Sequence, residues 1–198
     1  MDREDQDILE KKHKPTPEEV LDSFYQYLGE KNLKYLRKTK PEEREMFEKL
    51  LPSTSKNYFV KGKGSLLKKF KAYFTARCFY QRPDIATFML KEYIEGITEN
   101  NDDELFVAGS EKELVFLYLH GEVSGWGNTD NWIASTTIDK VANRKRRGLK
   151  TVILSERDFP LLEETKELKV IDLGGAEKAR TAEEIAQKVK GATNNNLN

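Results

Sequence analysis

Residues 114–129 read Leu114-Val115-Phe116-Leu117-Tyr118-Leu119-His120-Gly121-Glu122-Val123-Ser124-Gly125-Trp126-Gly127-Asn128-Thr129. Six apolar residues in a row without alternation are what a strand buried on both faces requires. The glycines then end the strand, and Asp130 to Arg147 repeats Ile133, Ile138, Val141 and Ala142 at helical spacing, with Gly148 placed to end the helix. The same alternation continues downstream. Lys150-Thr151-Val152-Ile153-Leu154 reads as a second buried strand, Asp158 to Lys166 as a short helix, and Lys169-Val170-Ile171-Asp172-Leu173 as a third strand. Thr181-Ala182-Glu183-Glu184 caps a last helix that ends near Gly191. Strand, helix, strand, helix, strand, helix predicts an α/β unit over 105–191: a small three-stranded parallel sheet with right-handed crossovers and flanking helices. Residues 192–198 read as a disordered tail.

The first half has a different character. Residues 1–14 read as a charged arm. Thr16-Pro17-Glu18-Glu19 is a helix start, with a Thr cap, Pro in the first turn and Glu three positions on. Val20, Leu21, Phe24, Tyr27 and Leu28 form its apolar stripe, and Gly29 weakens its end. Thr39-Lys40-Pro41-Glu42-Glu43 opens a second helix, stopped by Pro52. Residues 53–64 read as a loop, 65–80 as a third helix and 85–97 as a fourth. Asn100 to Glu104 is a polar linker, and Leu105 to Ala108 fits either a strand or a helix end. The expectation is a helical region over 1–99 followed by the α/β unit.

A strand, a Gly-rich loop and a helix are the setting of a phosphate-binding loop. Glycines let backbone N–H groups converge on an anion, and the helix N-terminus adds a favourable dipole field. Gly121, Gly125, Gly127, Asn128 and Thr129 are the candidate nucleotide-binding residues, with Thr129 placed to touch Mg²⁺ and Asp172 the acid that would hold the metal. Three readings stay open: a plain strand–helix connection, an anion or nucleotide site without catalysis, and a working NTPase. Trp126 and Trp132 flank the loop; an exposed Trp there could stack on a base or fill a partner's pocket, while Trp132 reads as a core residue. His120, Cys78 and Glu156 are weaker candidates. No nucleophile with a matched base accompanies His120, Cys78 reads as a core residue, and Glu156 follows the second strand.

Charge is strongly segregated on a chain whose 34 Lys and Arg balance 34 Asp and Glu. From Lys49 to Pro83 there is no acid, while seven aromatics, from Tyr58 to Tyr80, are interleaved with the cations. Lysines neutralise phosphates and aromatic faces stack on bases, so this mixture suits a nucleic-acid surface. It equally suits a helix with a basic solvated face and an aromatic core face. Lys61, Lys63, Lys68, Lys69, Lys71 and Arg77, with Arg144, Arg146 and Arg147 of the second basic cluster, are the candidate nucleic-acid contacts. Eight acids and one Lys lie between Glu92 and Glu113.

The segment from Ile85 to Glu177 resembles the P-loop half of bacterial helicase-loader ATPases, the DnaC/DnaI type of AAA+ protein. The residues that carry the resemblance are Leu117-Tyr118-Leu119-His120-Gly121, Gly125-x-Gly127-x-Thr129, the helix ending in basic residues, and Asp172-Leu173-Gly174-Gly175-Ala176-Glu177. It implies a helical N-terminal part that grips the replicative helicase and an ATPase part that binds single-stranded DNA. The loop departs from G-x-x-x-x-G-K-[ST]: five residues separate Gly121 from Gly127, and Asn128 stands in place of the Lys that reaches the phosphates. Beyond Asp172 only residues 173–198 remain. The expectation is a degenerate, truncated relative with no efficient hydrolysis, no catalytic residues, and no cofactor or weakly bound ATP/Mg.

One Cys excludes an internal disulfide, and two His exclude a Cys/His zinc site. MDREDQDILEKKHK is the opposite of a secretory signal, and no apolar run nears the roughly 20 residues of a membrane span. These features predict a cytoplasmic protein without membrane contact. The functional expectation is a DNA-replication-associated binding protein that contacts the replicative helicase, another replication protein or single-stranded DNA. The competing expectation is a non-enzymatic regulatory or inhibitory module that works through protein contacts.

Overall fold

The computed structural model describes residues 15–99, 103–119 and 129–174. They form an α/β layer structure around one five-stranded sheet, in which every neighbouring pair of strands is parallel. Helix α1 (Pro17–Arg37) starts as the sequence predicts: Glu19 N donates to Thr16 Oγ1 at 3.3 Å and Thr16 N to Glu19 Oε2 at 2.7 Å. Gly29 breaks α1 with a φ of 67°, a conformation only glycine adopts without cost. Helix α2 spans Pro41–Leu50, and Glu43 Oε2 accepts from Lys40 N at 2.8 Å in its first turn.

The strands are β1 (Tyr58–Lys61), β2 (Ile85–Met89), β3 (Leu114–Leu119), β4 (Lys150–Ser155) and β5 (Lys169–Asp172), in the spatial order β2-β3-β4-β1-β5. The three strands expected in the second half are present. The count of three is corrected to five, because the half read as all-helical supplies β1 and β2. Tyr58-Phe59-Val60 is only a short apolar run inside a stretch read as a loop, yet all three residues are fully buried between β4 and β5. Ile85–Met89 runs without a break into α4 (Leu90–Thr98), so the two elements read as one helix. Helix α3 (Gly64–Arg77) links β1 to β2, α5 (Glu104–Ser110) precedes β3, α6 (Thr129–Arg146) links β3 to β4, and α7 (Pro160–Glu163) links β4 to β5. The segment from Leu105 to Ala108 is therefore helical. The arm 1–14, the linker core 100–102, the last helix and the tail lie outside the described residues.

Alternate side chains of the strands enter two cores. On one face Tyr58, Val60, Phe116, Val152, Leu154 and Ile171 pack under Phe47 of α2 and Phe70 and Phe74 of α3. On the other, Phe59, Val115, Leu117 and Ile153 pack under Tyr93 and Ile94 of α4, Ile133 and Val141 of α6 and Leu162 of α7. So the connection that runs leftward along the sheet, from β1 to β2, crosses one face, and the rightward connections cross the other. This is the arrangement that right-handed crossovers impose.

Candidate functional site

Strands β1 and β4 are neighbours, and the chain leaves them in opposite directions on opposite faces. A crevice therefore opens at their C-terminal ends, the position at which open α/β sheets bind ligands. It is built from Lys61 at the end of β1, the turn Gly62-Lys63, the first residues of α3, and the residues following β4 and β5. Gly62 N donates to Ser155 O at 3.0 Å and Leu173 N to Lys61 O at 2.9 Å, which holds the three strand ends together. Lys63 O accepts from Leu66 N and Leu67 N, both at 2.9 Å, and so closes the first turn of α3.

The crevice is filled by the protein's own charges. Lys61 Nζ donates to Asp158 Oδ1 and to Glu163 Oε2, both at 2.8 Å, and lies 3.7 Å from Asp172 Oδ2. Its side chain is only 11% exposed. Burial alone would push the ammonium down, but the hydrogen bonds with Asp158 and Glu163 outweigh it and hold the pKa above the ordinary lysine value. Glu156 lies against the N-terminus of α3: a Cβ placed on Gly64 would stand 2.1 Å from Glu156 Oε1. A carboxylate there occupies the seat that the helix dipole offers to an anion.

The described crevice does not fit a nucleoside triphosphate. A G-x-x-x-x-G-K-[ST] loop wraps the phosphates with backbone N–H groups, whereas here only Gly62 and Lys63 separate β1 from α3. The side chains that meet Lys61 there, Asp158, Glu163 and Asp172, are carboxylates, which repel phosphate. Among the described residues no group of three or more His, Cys, Asp or Glu could hold a metal ion.

This crevice is not the one the sequence picked out. Gly121, Gly125, Gly127 and Asn128 lie outside the described residues, and Thr129 begins α6. Asp172 ends β5, and two strands stand between β5 and β3, a separation of about 14 Å. What the structure brings together instead is Asp172 and Lys61, drawn from two different candidate sets. The signal for the crevice was Gly62-Lys63-Gly64-Ser65 directly after Tyr58-Phe59-Val60: two glycines around a Lys, between an apolar run and a helix.

The candidate nucleic-acid residues are widely scattered. Lys63, Lys68 and Arg146 face solvent. Lys69 donates to both Glu43 oxygens, at 2.7 and 2.8 Å, and Arg77 Nη1 donates to Leu51 O at 3.0 Å. Arg147 holds Glu111 in a two-pronged pair. Arg144 is buried inside the fold: it donates to Thr151 Oγ1 at 3.0 Å, Lys112 O at 2.7 Å, Lys150 O at 3.0 Å and Ser110 O. Lys71 donates to Thr87 Oγ1 at 2.7 Å and lies over the rings of Phe116 and Tyr118. Burial, and secondarily the charge of Lys31, lower its pKa to about 8. Of the seven interleaved aromatics, six are buried and only Tyr80 is exposed, at 92%. The reading with a basic solvated face and an aromatic core face is the one the packing follows. The core reading of Trp132 is corrected: it is 43% exposed on α6, where Ile133 and Ala134 take the buried face, and Cys78 is buried as expected.

No family model matches the chain, and no curated protein matches it. Among solved structures, its fold is similar to that of a candidate primosome component from Streptococcus pyogenes serotype M3, with 15% identity over 69% of this chain and 78% of that one, at a TM-score of 0.39. It is also similar to domain III of the Thermotoga maritima replication initiation protein DnaA, with 14% identity over 80% of this chain and 68% of that one, at 0.41. A DNA replication initiation factor is similar at 12% identity and a TM-score of 0.40; the match covers 83% of this chain and 53% of that one. Among the described residues, no helix is long and apolar enough to cross a membrane.

Proposed function

We propose that this protein is a replication-associated binding protein with the build of a helicase loader and a crevice closed to nucleotide. It works by contact with the replicative helicase or another replication protein rather than by hydrolysis. The replication assignment rests on the sequence resemblance carried by Leu117 to Gly121 and Asp172 to Glu177. The observation that carries the non-hydrolytic part is the seating of Glu156 against Gly64, beside a two-residue turn and a lysine tied to carboxylates. In this reading the side chains that would otherwise receive phosphate hold the ends of β1, β4 and β5 in one fixed arrangement. Nucleic-acid contact, where it occurs, falls to solvent-facing cations such as Lys63 and Lys68 at the start of α3.

The test uses the whole chain. Titration calorimetry with Mg-ATP is expected to give no binding heat, and the immobilised replicative helicase is expected to retain the protein with and without ATP. Turnover of ATP by the pure protein would sink the closed-crevice reading. Failure of the helicase and of the other replication proteins to retain it would sink the loader-like reading and leave the purely regulatory module.

A further inference from the structure

The opposite end of the sheet carries a second cavity, of about 510 Å³, where β1, β4 and β5 begin. Its charged lining consists of Lys56, Lys145, Lys150, Lys166 and Lys169 against a single acid, Glu167. Three of the lysines come from the strand starts or the residues just before them, because β1, β4 and β5 are adjacent and all point the same way. Lys145 lies in the last turn of α6, and Lys166 precedes β5. Glu167 Oε2 is taken by Lys145 at 3.0 Å, and Lys150 Nζ donates to Gln81 Oε1 at 3.1 Å. Among the described residues no hydrogen bond or ion pair engages the side-chain ammonium of Lys56, Lys166 or Lys169, and all three residues face solvent. No aromatic side chain lines the cavity, so it offers no stacking platform and nothing to read a base.

We propose that this lysine-lined cavity binds a chain of phosphates, either the sugar-phosphate backbone of a nucleic acid or a free polyphosphate. The volume falls within the range of ordinary ligand sites. Several ammonium groups converge on it with one acid, already paired, to oppose them. Ammonium groups act as point charges and accept phosphates in many orientations, so the binding is independent of sequence. The site lies at the far end of the strands from the closed crevice and does not depend on the function proposed for it.

The experiment is fluorescence anisotropy of the whole chain with a labelled single-stranded oligonucleotide across a salt series, paired with calorimetry against inorganic tripolyphosphate. Both are repeated on the triple variant Lys56→Gln, Lys166→Gln, Lys169→Gln and on the control Lys34→Gln, Lys38→Gln, two exposed lysines at the end of α1. The expected result is a loss of at least about tenfold in affinity in the triple variant, with a log–log salt slope shallower by about 2, because each phosphate contact on a single strand accounts for roughly 0.7. The control should keep its cavity-dependent binding. Loss of oligonucleotide binding identifies a nucleic-acid backbone as the ligand, and loss of tripolyphosphate heat alone identifies a free polyphosphate. Absence of both bindings in the unmutated protein at low salt overturns the proposal, as does unchanged binding in a triple variant that melts like the parent.

Discussion

Lys61 shows how one side chain can hold three strand ends. Its ammonium sits between Asp158, Glu163 and Asp172, so replacing it with Met removes the cation and leaves the carboxylates facing each other in a half-buried space. Breaking such a pair from one side costs about 3 kcal/mol, which urea denaturation of Lys61→Met should register. Glu156 and Gly64 form a second pair, in close approach at the start of α3. Gly64→Ala drives its Cβ into Glu156 Oε1, but the obstacle is the end of a side chain that can swing away. The single variant should therefore be destabilised by about 1 kcal/mol, and Glu156→Ala should remove most of that penalty in the double variant. Additive losses in the double-mutant cycle would mean that the carboxylate does not sit over the helix. Lys71 gives the third residue-scale expectation. Its pKa is about 8 in the folded state, through burial and then Lys31, against an ordinary 10.5 when unfolded. Between those values the unfolded chain binds more protons, so the Lys71 contribution to stability rises with pH from about 8 upward and is absent as a gain below it. Lys61 is shifted the other way and stays charged through that window, so it does not mask the effect. Comparison of urea midpoints at pH 7 and pH 9 should show a gain in the parent that Lys71→Met lacks.

At the scale of the element, Arg144 ties the end of α6 to its surroundings. It bonds to the end of α5 at Ser110, to Lys112 before β3, and to Lys150 and Thr151 at the start of β4. Arg144→Met leaves those carbonyls without their donor and should cost about 3 kcal/mol, whereas Arg146→Met, two residues on and facing solvent, should lie within about 0.5 kcal/mol of the parent. Chemical denaturation of the two variants side by side separates them, although both positions look alike in Arg144-Lys145-Arg146-Arg147. That contrast marks what the sequence makes legible. The caps of α1 and α2, the buried runs of β3 and β4 and the α/β alternation are local patterns, and they are present where the spacing predicts them. β1 was not legible, because four residues of Tyr-Phe-Val-Lys carry no period of their own and become a strand only through pairing with β4 and β5 far along the chain. β2 was hidden by its continuity with α4. The candidate site inherits both gaps: without β1 in the sheet, the strand beside Gly121 reads as the one that feeds a ligand loop. With β1 in place the switch in direction moves to Lys61 and Ser155.

At the scale of the whole molecule, the strand order decides how the chain can fold. β1 comes from the first half yet lies between β4 and β5, and β2 forms the edge beside β3. Residues 15–99 alone would therefore expose Tyr58, Phe59 and Val60, all fully buried in the intact sheet, with no backbone partner on either side. Residues 103–174 alone would leave β5 detached from β4 by the width of the missing strand. The first half keeps no strand pairing and the second keeps only β3 with β4, and an unpaired buried N–H or C=O costs as much as a lost hydrogen bond. The division into a helical region and an α/β unit is thus a division of sequence character across a single shared sheet. The expected behaviour is one cooperative unfolding transition for the described core, with far-UV and near-UV circular dichroism giving the same midpoint. Fragments cut at residue 100 should be unstructured when separate. Mixed together, they should regain the sheet signal, because three of the four strand pairings lie between them. Two separate transitions, or a stably folded 103–198 fragment, would show instead that the second half closes its own sheet and that β1 is an accessory strand.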